Sequence, residues 1–275
     1  MTRFNIQRFG RVLKWSAVMT RKEILTNTAA MFFAMLVPFI VQMLGSYGHS
    51  TLHVAAQLSS ALQFCIVIYT VVVTIGGCWI FNNMKTKEQR ITFRMLPAGD
   101  LEKFVARALY VTVVWWVMGM VAFCLADVFR MLISLMSGIE VVKSVIPDFF
   151  SQLFGGADVR FADVEGVEGL SMAGCVALAL TWSLWIHSFY VLGGALFRRR
   201  QFVLTSLVHF AFGMISLPVI VHFVDGIDKE TVYTLINVWT WVAAAFFAAW
   251  FVADWWLAYR IFRRMQVVNN KWLNL

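Results

Sequence analysis

Six apolar stretches divide this chain, at about residues 28–47, 58–81, 104–128, 172–197, 202–223 and 234–257. Each is close to the ~20 residues a helix needs to cross a hydrocarbon core ~30 Å thick. Lipid offers no partner to a backbone N–H or C=O, so such segments fold as helices, whose hydrogen bonds are internal. The fold class that follows is all-α: a polytopic integral membrane protein with six transmembrane helices. Composition agrees, since 275 residues that are 60% hydrophobic, with 12 Trp and 25 Phe, carry more apolar surface than a soluble domain of this size can bury.

Charge sets the expected orientation. Apart from Arg130, Lys143, Arg160 and Lys229, every Lys and Arg falls on one side of the six stretches. Basic residues stay in the cytoplasm during insertion, so both termini (N-in/C-in) and the loop 82–103 are expected inside. The long segment 137–170 becomes an outer loop, and its acidic residues (Glu140, Asp148, Asp158, Asp163, Glu165, Glu168) are compatible with that side. The net charge of +8 is carried beside span ends, which points to anionic membrane lipids as partners and away from nucleic acid. Cys65, Cys78, Cys124 and Cys175 all lie within spans and lack CxxC spacing, so they read as small packing residues. No apolar h-region precedes residue 28, and no cleavable signal is expected.

Residues 1–27 form the first region and 28–275 the six-helix transmembrane domain. In the first, Ile6, Phe9, Val12, Leu13 and Ala17 share one helical arc, and Arg3, Arg8, Arg11, Lys14, Arg21 and Lys22 the opposite one. A basic amphipathic helix of this kind is expected to lie in the membrane interface; the alternative is a solvated helix that fixes topology by its charge alone. Pro38 and Pro218 fall inside spans, where each frees a carbonyl and bends its helix. The third apolar run continues to residue 136; from 104 that is roughly 50 Å of helix, so it leaves the membrane near 126–128 and continues outside. Ala244/Ala248 and Ala245/Ala249 give a small-xxx-small spacing for close helix approach, within the chain or in a dimer.

The loop 82–103 carries the strongest functional signal. Lys85, Lys87, Glu88, Arg90, Arg94, Asp100, Glu102 and Lys103 alternate with Ile91, Phe93, Met95 and Leu96, and Pro97 then breaks the backbone. Asp100 is the expected N-cap of the third span. Apolar groups among charges suit a surface that docks another protein; the alternative is a loop whose apolar residues dip into lipid. The stretch NNMKTKEQRITFRMLPAGDLEKFVAR, with Arg94, Leu96, Pro97, Glu102, Lys103 and Phe104, resembles the inner loop of bacterial ABC-type export permeases of the second type. More narrowly, it resembles a divergent Bacteroidetes-type branch of permease-like membrane proteins.

That resemblance implies a permease subunit in a bacterial cytoplasmic (inner) membrane, paired as a homodimer or with a related permease. It also implies that Lys85, Lys87, Glu88, Arg90, Arg94, Leu96, Pro97, Asp100 and Glu102 dock a cytoplasmic ABC ATPase. The chain has no GxxxxGK[ST] motif, so the ATPase is expected as a separate polypeptide and this chain is not expected to be an enzyme. It departs from the family in having only about ten residues between the fifth and sixth spans, where a re-entrant hairpin is usual.

Ionisable groups at depth are the remaining candidates: His187, His209 and Asp254. His187 and His209 are placed at similar heights on adjacent antiparallel helices. They are read either as satisfied by hydroxyls and carbonyls, or as a proton- or substrate-contact site, or as a metal or haem site. No metal and no cofactor is expected. Asp254 is expected at headgroup level or paired with a cation such as Arg260, and Asp127 with Arg130 one turn away. Two other functions stay open: a non-transporting scaffold or sensor that uses the outer loop, and an ion-coupled carrier or channel that uses the histidines.

Overall fold

The computed structural model describes residues 4–46, 51–84, 86–137, 143–154, 171–225 and 229–265. Among these there is no strand. The helices are α1 (Ile6–Ser46), α2 (Thr51–Gly76), α3 (Lys87–Met95), α4 (Asp100–Leu109), α5 (Trp115–Met136), α6 (Ile146–Phe154), α7 (Met172–Leu196), α8 (Gln201–Asp225) and α9 (Lys229–Arg264). A 3-10 segment, Gly77–Met84, extends α2, and a π-helical turn, Tyr110–Val114, joins α4 to α5. Lys85 and most of the outer loop lie outside the described residues.

Among the described residues six helical stretches are long and apolar enough to cross a membrane, one for each apolar run of the sequence: Ile6–Gly45, His53–Met84, Asp100–Met136, Ala173–Leu196, Gln201–Val219 and Leu235–Arg264. Their outward faces are apolar as well. Phe210 and Ile215 are each 69% exposed, and Leu44, Phe64 and Val252 also point away from the protein. Water would penalise side chains of this kind on a surface; lipid does not.

The basic N-terminal segment and the first apolar run form one uninterrupted helix of 41 residues. Val12, Ser16 and Thr20, and further along Met31, Met35 and Phe39, are buried at i, i+4 spacing. The buried positions of the first half thus share only Val12 with the apolar arc read from the sequence, and Ile6 and Leu13 are exposed. The buried Thr20 hydroxyl donates to the Ser16 carbonyl at 2.8 Å, one turn back.

The chain divides into two compact units. One consists of Lys14–Val73 and Thr112–Val159. Its core is aromatic: Phe123 stacks on Phe149 with ring centroids 3.8 Å apart, Tyr69 meets Phe149 edge-on at 5.4 Å, and Phe39 lies against Phe123. Phe149 belongs to α6, a helix within the segment 137–170, which reads as a loop from the sequence. Its signals were Pro147 at the first turn and apolar residues at 146, 149, 150 and 153.

Asp127 and Arg130 pair as expected, at 2.7 Å. Asp127 also accepts the Ser144 hydroxyl at 2.7 Å and the Val145 N–H at 3.1 Å, while Arg130 donates to the Lys143 carbonyl. The pair is buried, because the segment 143–145 folds over it and leads into α6.

The other unit consists of Met1–Leu13, Thr74–Val111 and Arg160–Leu275. Here α9 packs along α7, and α7 also contacts α8 and the 3-10 segment. The last of these contacts depends on missing side chains: a Cβ on Gly194 would lie 2.5 Å from the Cys78 carbonyl oxygen, and one on Gly77 2.9 Å from the His187 carbonyl oxygen. Backbone cannot yield to such a clash as a flexible side chain can. Gly194→Ala is therefore expected to destabilise the protein by about 1–3 kcal/mol. Thermal unfolding in detergent measures this, and an unchanged midpoint would contradict the close approach.

Candidate functional site

α3 lies between the second and third apolar stretches. Thr86 starts it: its hydroxyl accepts the Gln89 N–H, and the Gln89 side chain accepts the Thr86 N–H, both at 3.2 Å. This reciprocal cap was legible as Thr-x-x-Gln ahead of the helix. At the other end Lys103 Nζ donates to the Arg94 carbonyl at 2.8 Å, satisfying one of the carbonyls left free where α3 stops. The helix is amphipathic. Arg90 and Phe93 are buried and Arg94 half-buried, while Lys87, Glu88, Ile91, Thr92 and Met95 are exposed on the opposite side.

Charged contacts hold the inner face of α3. The Arg94 guanidinium bonds Asp100 at 3.1 Å, donates to the Met265 carbonyl at 3.3 Å and to the Phe262 carbonyl, and lies 4.6 Å from the centre of the Phe262 ring. These carbonyls belong to the end of α9, where a cation is favourable against the helix dipole. Glu102, buried, accepts the backbone N–H groups of Asn5 and Gly99, each at 2.8 Å, and pairs with Arg8 at 3.2 Å. Arg107, fully buried, donates to the Ile80 and Trp79 carbonyls at 2.7 and 3.2 Å. The loop is thereby tied to the start of α1, to α4 and to the end of α9.

The residues assigned to docking separate into three groups. Lys87, Glu88 and Pro97 are exposed, and Leu96 and Asp100 are half-buried. Arg90, Arg94 and Glu102 face the protein rather than present a surface: the first two lie on the inner side of α3, and Glu102 fastens α4 to the start of α1. Asp100 is not the N-cap of the third span. Gly99 occupies that position, and the Glu102 carboxylate accepts its N–H while Asp100 turns to Arg94. The shift of one residue follows from the nearby guanidinium, which competes for the Asp100 carboxylate.

Glu88 has its carboxyl held below the usual carboxylate range by its own backbone N–H and then by the Thr86 hydroxyl. Burial, followed by the charge of Arg198, holds the Arg90 guanidinium below its ordinary value. Arg198 belongs to the turn between α7 and α8, where Arg198, Arg199, Arg200, Trp79 and the first turn of α8 line a cavity of about 470 Å³. Arg200 takes a positive φ of 51° there.

The intramembrane candidates do not form one cluster in the way the sequence suggested. The His209 ring lies 5.8, 5.4 and 6.1 Å from the rings of Trp185, Phe189 and Tyr190 on α7. His187 is two residues from both Trp185 and Phe189, about 200° round the helix, so it is turned away from His209. Asp254 is not paired with Arg260. Six residues on one helix separate them by about 120°, and Arg260 lies instead over the Trp256 ring. Asp254 is 1% exposed and meets Ser188 of α7 at 2.9 Å.

Trp182, Trp185, His209, Phe212, Phe246 and Phe247 line a mostly apolar cavity of about 670 Å³. Among the described residues no group of three His, Cys, Asp or Glu is placed to hold a metal ion. No protein-family model, curated protein or solved structure matches this chain.

Proposed function

We propose that this chain is the membrane-spanning permease subunit of an ATP-driven exporter, docking a separate cytoplasmic ATPase through α3. The observation that carries the reading is α3 itself. It is a short capped helix between the second and third apolar stretches, clamped along one face and exposing Lys87, Glu88, Ile91, Thr92 and Met95 along the other. A lever that transmits force must be stiff and joined to what it moves. Arg94 and Lys103 join α3 to α9 and α4, and Glu102 in turn joins α4 to the start of α1. ATP-driven displacement of α3 would then reach the spans as a rigid-body shift.

In this reading the chain crosses a bacterial inner membrane six times with both termini inside. α1 is roughly 60 Å long, so its basic first half extends past the ~30 Å core to the cytoplasmic headgroups. Anionic lipid headgroups suit that half and the arginine-lined cavity at residues 198–200. A second copy or a related permease completes the transport path. Orientation has a direct check: in intact cells an impermeant amine reagent modifies Lys143 and spares Lys87. The reverse pattern would place α3 outside, beyond reach of any ATPase.

Docking is tested by co-expressing the chain with a candidate ABC ATPase from the same genome and purifying the pair in mild detergent. Met95→Asp and Ile91→Asp put a charge into the exposed face without touching Arg90, Phe93 or Arg94. Each is expected to reduce ATPase recovery roughly 30-fold, as for an interface anchor contributing ~2 kcal/mol, with an unchanged melting temperature. Recovery of ATPase with both variants would remove α3 as the docking surface. No recovery with the unaltered chain would favour the scaffold reading.

A further inference from the structure

Of the buried acids among the described residues, Asp254 is the one that the foregoing account leaves without a role. It lies inside the sixth apolar stretch, 1% exposed. Its Oδ2 is 2.9 Å from Ser188 Oγ, and its Oδ1 is buried with no hydrogen-bond partner among the described residues. Ser188 Oγ is also 2.8 Å from the Trp185 carbonyl oxygen. A serine hydroxyl has one proton and cannot donate to both oxygens. If the carboxyl were ionised, the single hydroxyl would serve either Trp185 or Asp254, leaving a buried negative charge with one donor at most. A buried ion in that state is expensive unless it is paired.

No pairing cation is in place. α7 and α4 make the main contacts with α9, while α3 and the 3-10 segment touch only its end at Phe262, where Arg94 is held by Asp100 and two backbone carbonyls. The titratable groups of α7 are Cys175, His187 and Tyr190, and those of α4 are Asp100, Glu102, Lys103 and Arg107. Tyr190 bonds Ser206, Lys103 bonds the Arg94 carbonyl, Arg107 bonds the Ile80 and Trp79 carbonyls, and Asp100 and Glu102 pair with Arg94 and Arg8. Among the described residues neither His187 nor any Lys or Arg forms an ion pair with Asp254.

We propose that Asp254 is a proton-binding site. The neutral acid donates its own proton from Oδ2 to Ser188 Oγ, and Ser188 donates its proton to the Trp185 carbonyl. Each proton is then used once, and the pair staples α9 to α7 without a buried charge. Release of the proton to water leaves a carboxylate that must draw in water or a cation, so ionisation requires α7 and α9 to part. The site thus links proton binding to the packing of two apolar helices, whether or not an ATPase binds α3.

Infrared spectroscopy of the purified protein in lipid tests this without any partner. At neutral pH the unaltered chain is expected to show the C=O stretch of a buried neutral carboxylic acid, shifted by H/D exchange and absent from Asp254→Asn. Asp254→Asn keeps a donor toward Ser188, so its melting temperature is expected to stay close to that of the parent. A second readout needs no variant: a hydrophobic carbodiimide, which couples to neutral carboxyls, should label Asp254 in membranes, with less labelling as pH rises. A carboxylate spectrum at neutral pH, or a carboxylic-acid band that survives in Asp254→Asn, would overturn the proposal. So would a band that disappears on adding sodium, which would make the site a cation site.

Discussion

Arg130→Ala is expected to lower the unfolding free energy by about 3–5 kcal/mol, because it strands a buried carboxylate. Asp127 is fully buried and Arg130 2% exposed. Without the guanidinium, Asp127 keeps only the Ser144 hydroxyl and the Val145 N–H. The Lys143 carbonyl also loses its donor. Denaturant unfolding in detergent measures the loss. Lys143→Ala is the control, since its 3.5 Å pair with Asp148 is largely exposed and should be worth under ~1 kcal/mol. Replacing both Asp127 and Arg130 by Leu should cost less than Arg130→Ala alone, as no charge is then left unpaired. A small effect of Arg130→Ala would mean that water reaches the pair and that α6 does not seal it.

Glu102→Ala carries the second large effect. Two backbone N–H groups, of Asn5 and Gly99, lose their acceptor together. Each orphaned donor costs ~1–3 kcal/mol, so the total for the two is expected at about 2–6 kcal/mol. The Arg8 pair adds little, because Arg8 is one-third exposed and solvent screens it. The change also unfastens the start of α1 from α4, so limited proteolysis near residues 5–13 should accelerate. Glu102→Gln keeps an acceptor oxygen and should fall between the two. Proteolysis unchanged in Glu102→Ala would show that α1 is held at its start by other contacts.

The residues that answered to sequence reasoning are those whose signal is local. Long apolar runs have one backbone solution in lipid, so all six helical stretches were legible, as was the extension of the third run to residue 136. The Asp127–Arg130 pair was legible because three residues place two side chains on one helix face. Less was legible in the loop 82–103. Its mixed charges marked it as important, but Arg94 and Glu102 looked like surface residues. Their partners lie at Met265 and Asn5, far away in sequence.

Asp254 shows the same division. Its position in the sixth run could be counted along the chain, with headgroup level or a cation such as Arg260 as the expected surroundings. The helix turn carries Arg260 elsewhere, and the hydroxyl that meets Asp254 comes from α7, 66 residues away. His209 likewise faces the rings of Trp185 and Phe189 rather than His187, because α7 presents only one side to α8.

By itself, the sequence determined that this chain folds as helices, where they run and which side of them carries the positive charge. Those are properties of consecutive residues and of the solvent around them. Which charges face inward, and whether an acid in the sixth run has a counter-ion, depended on how separate helices turn toward one another. Hydropathy is nearly uniform around these helices, so no amphipathic stripe announces that rotation; it is set by close approaches such as Gly194 on Cys78 and Gly77 on α7.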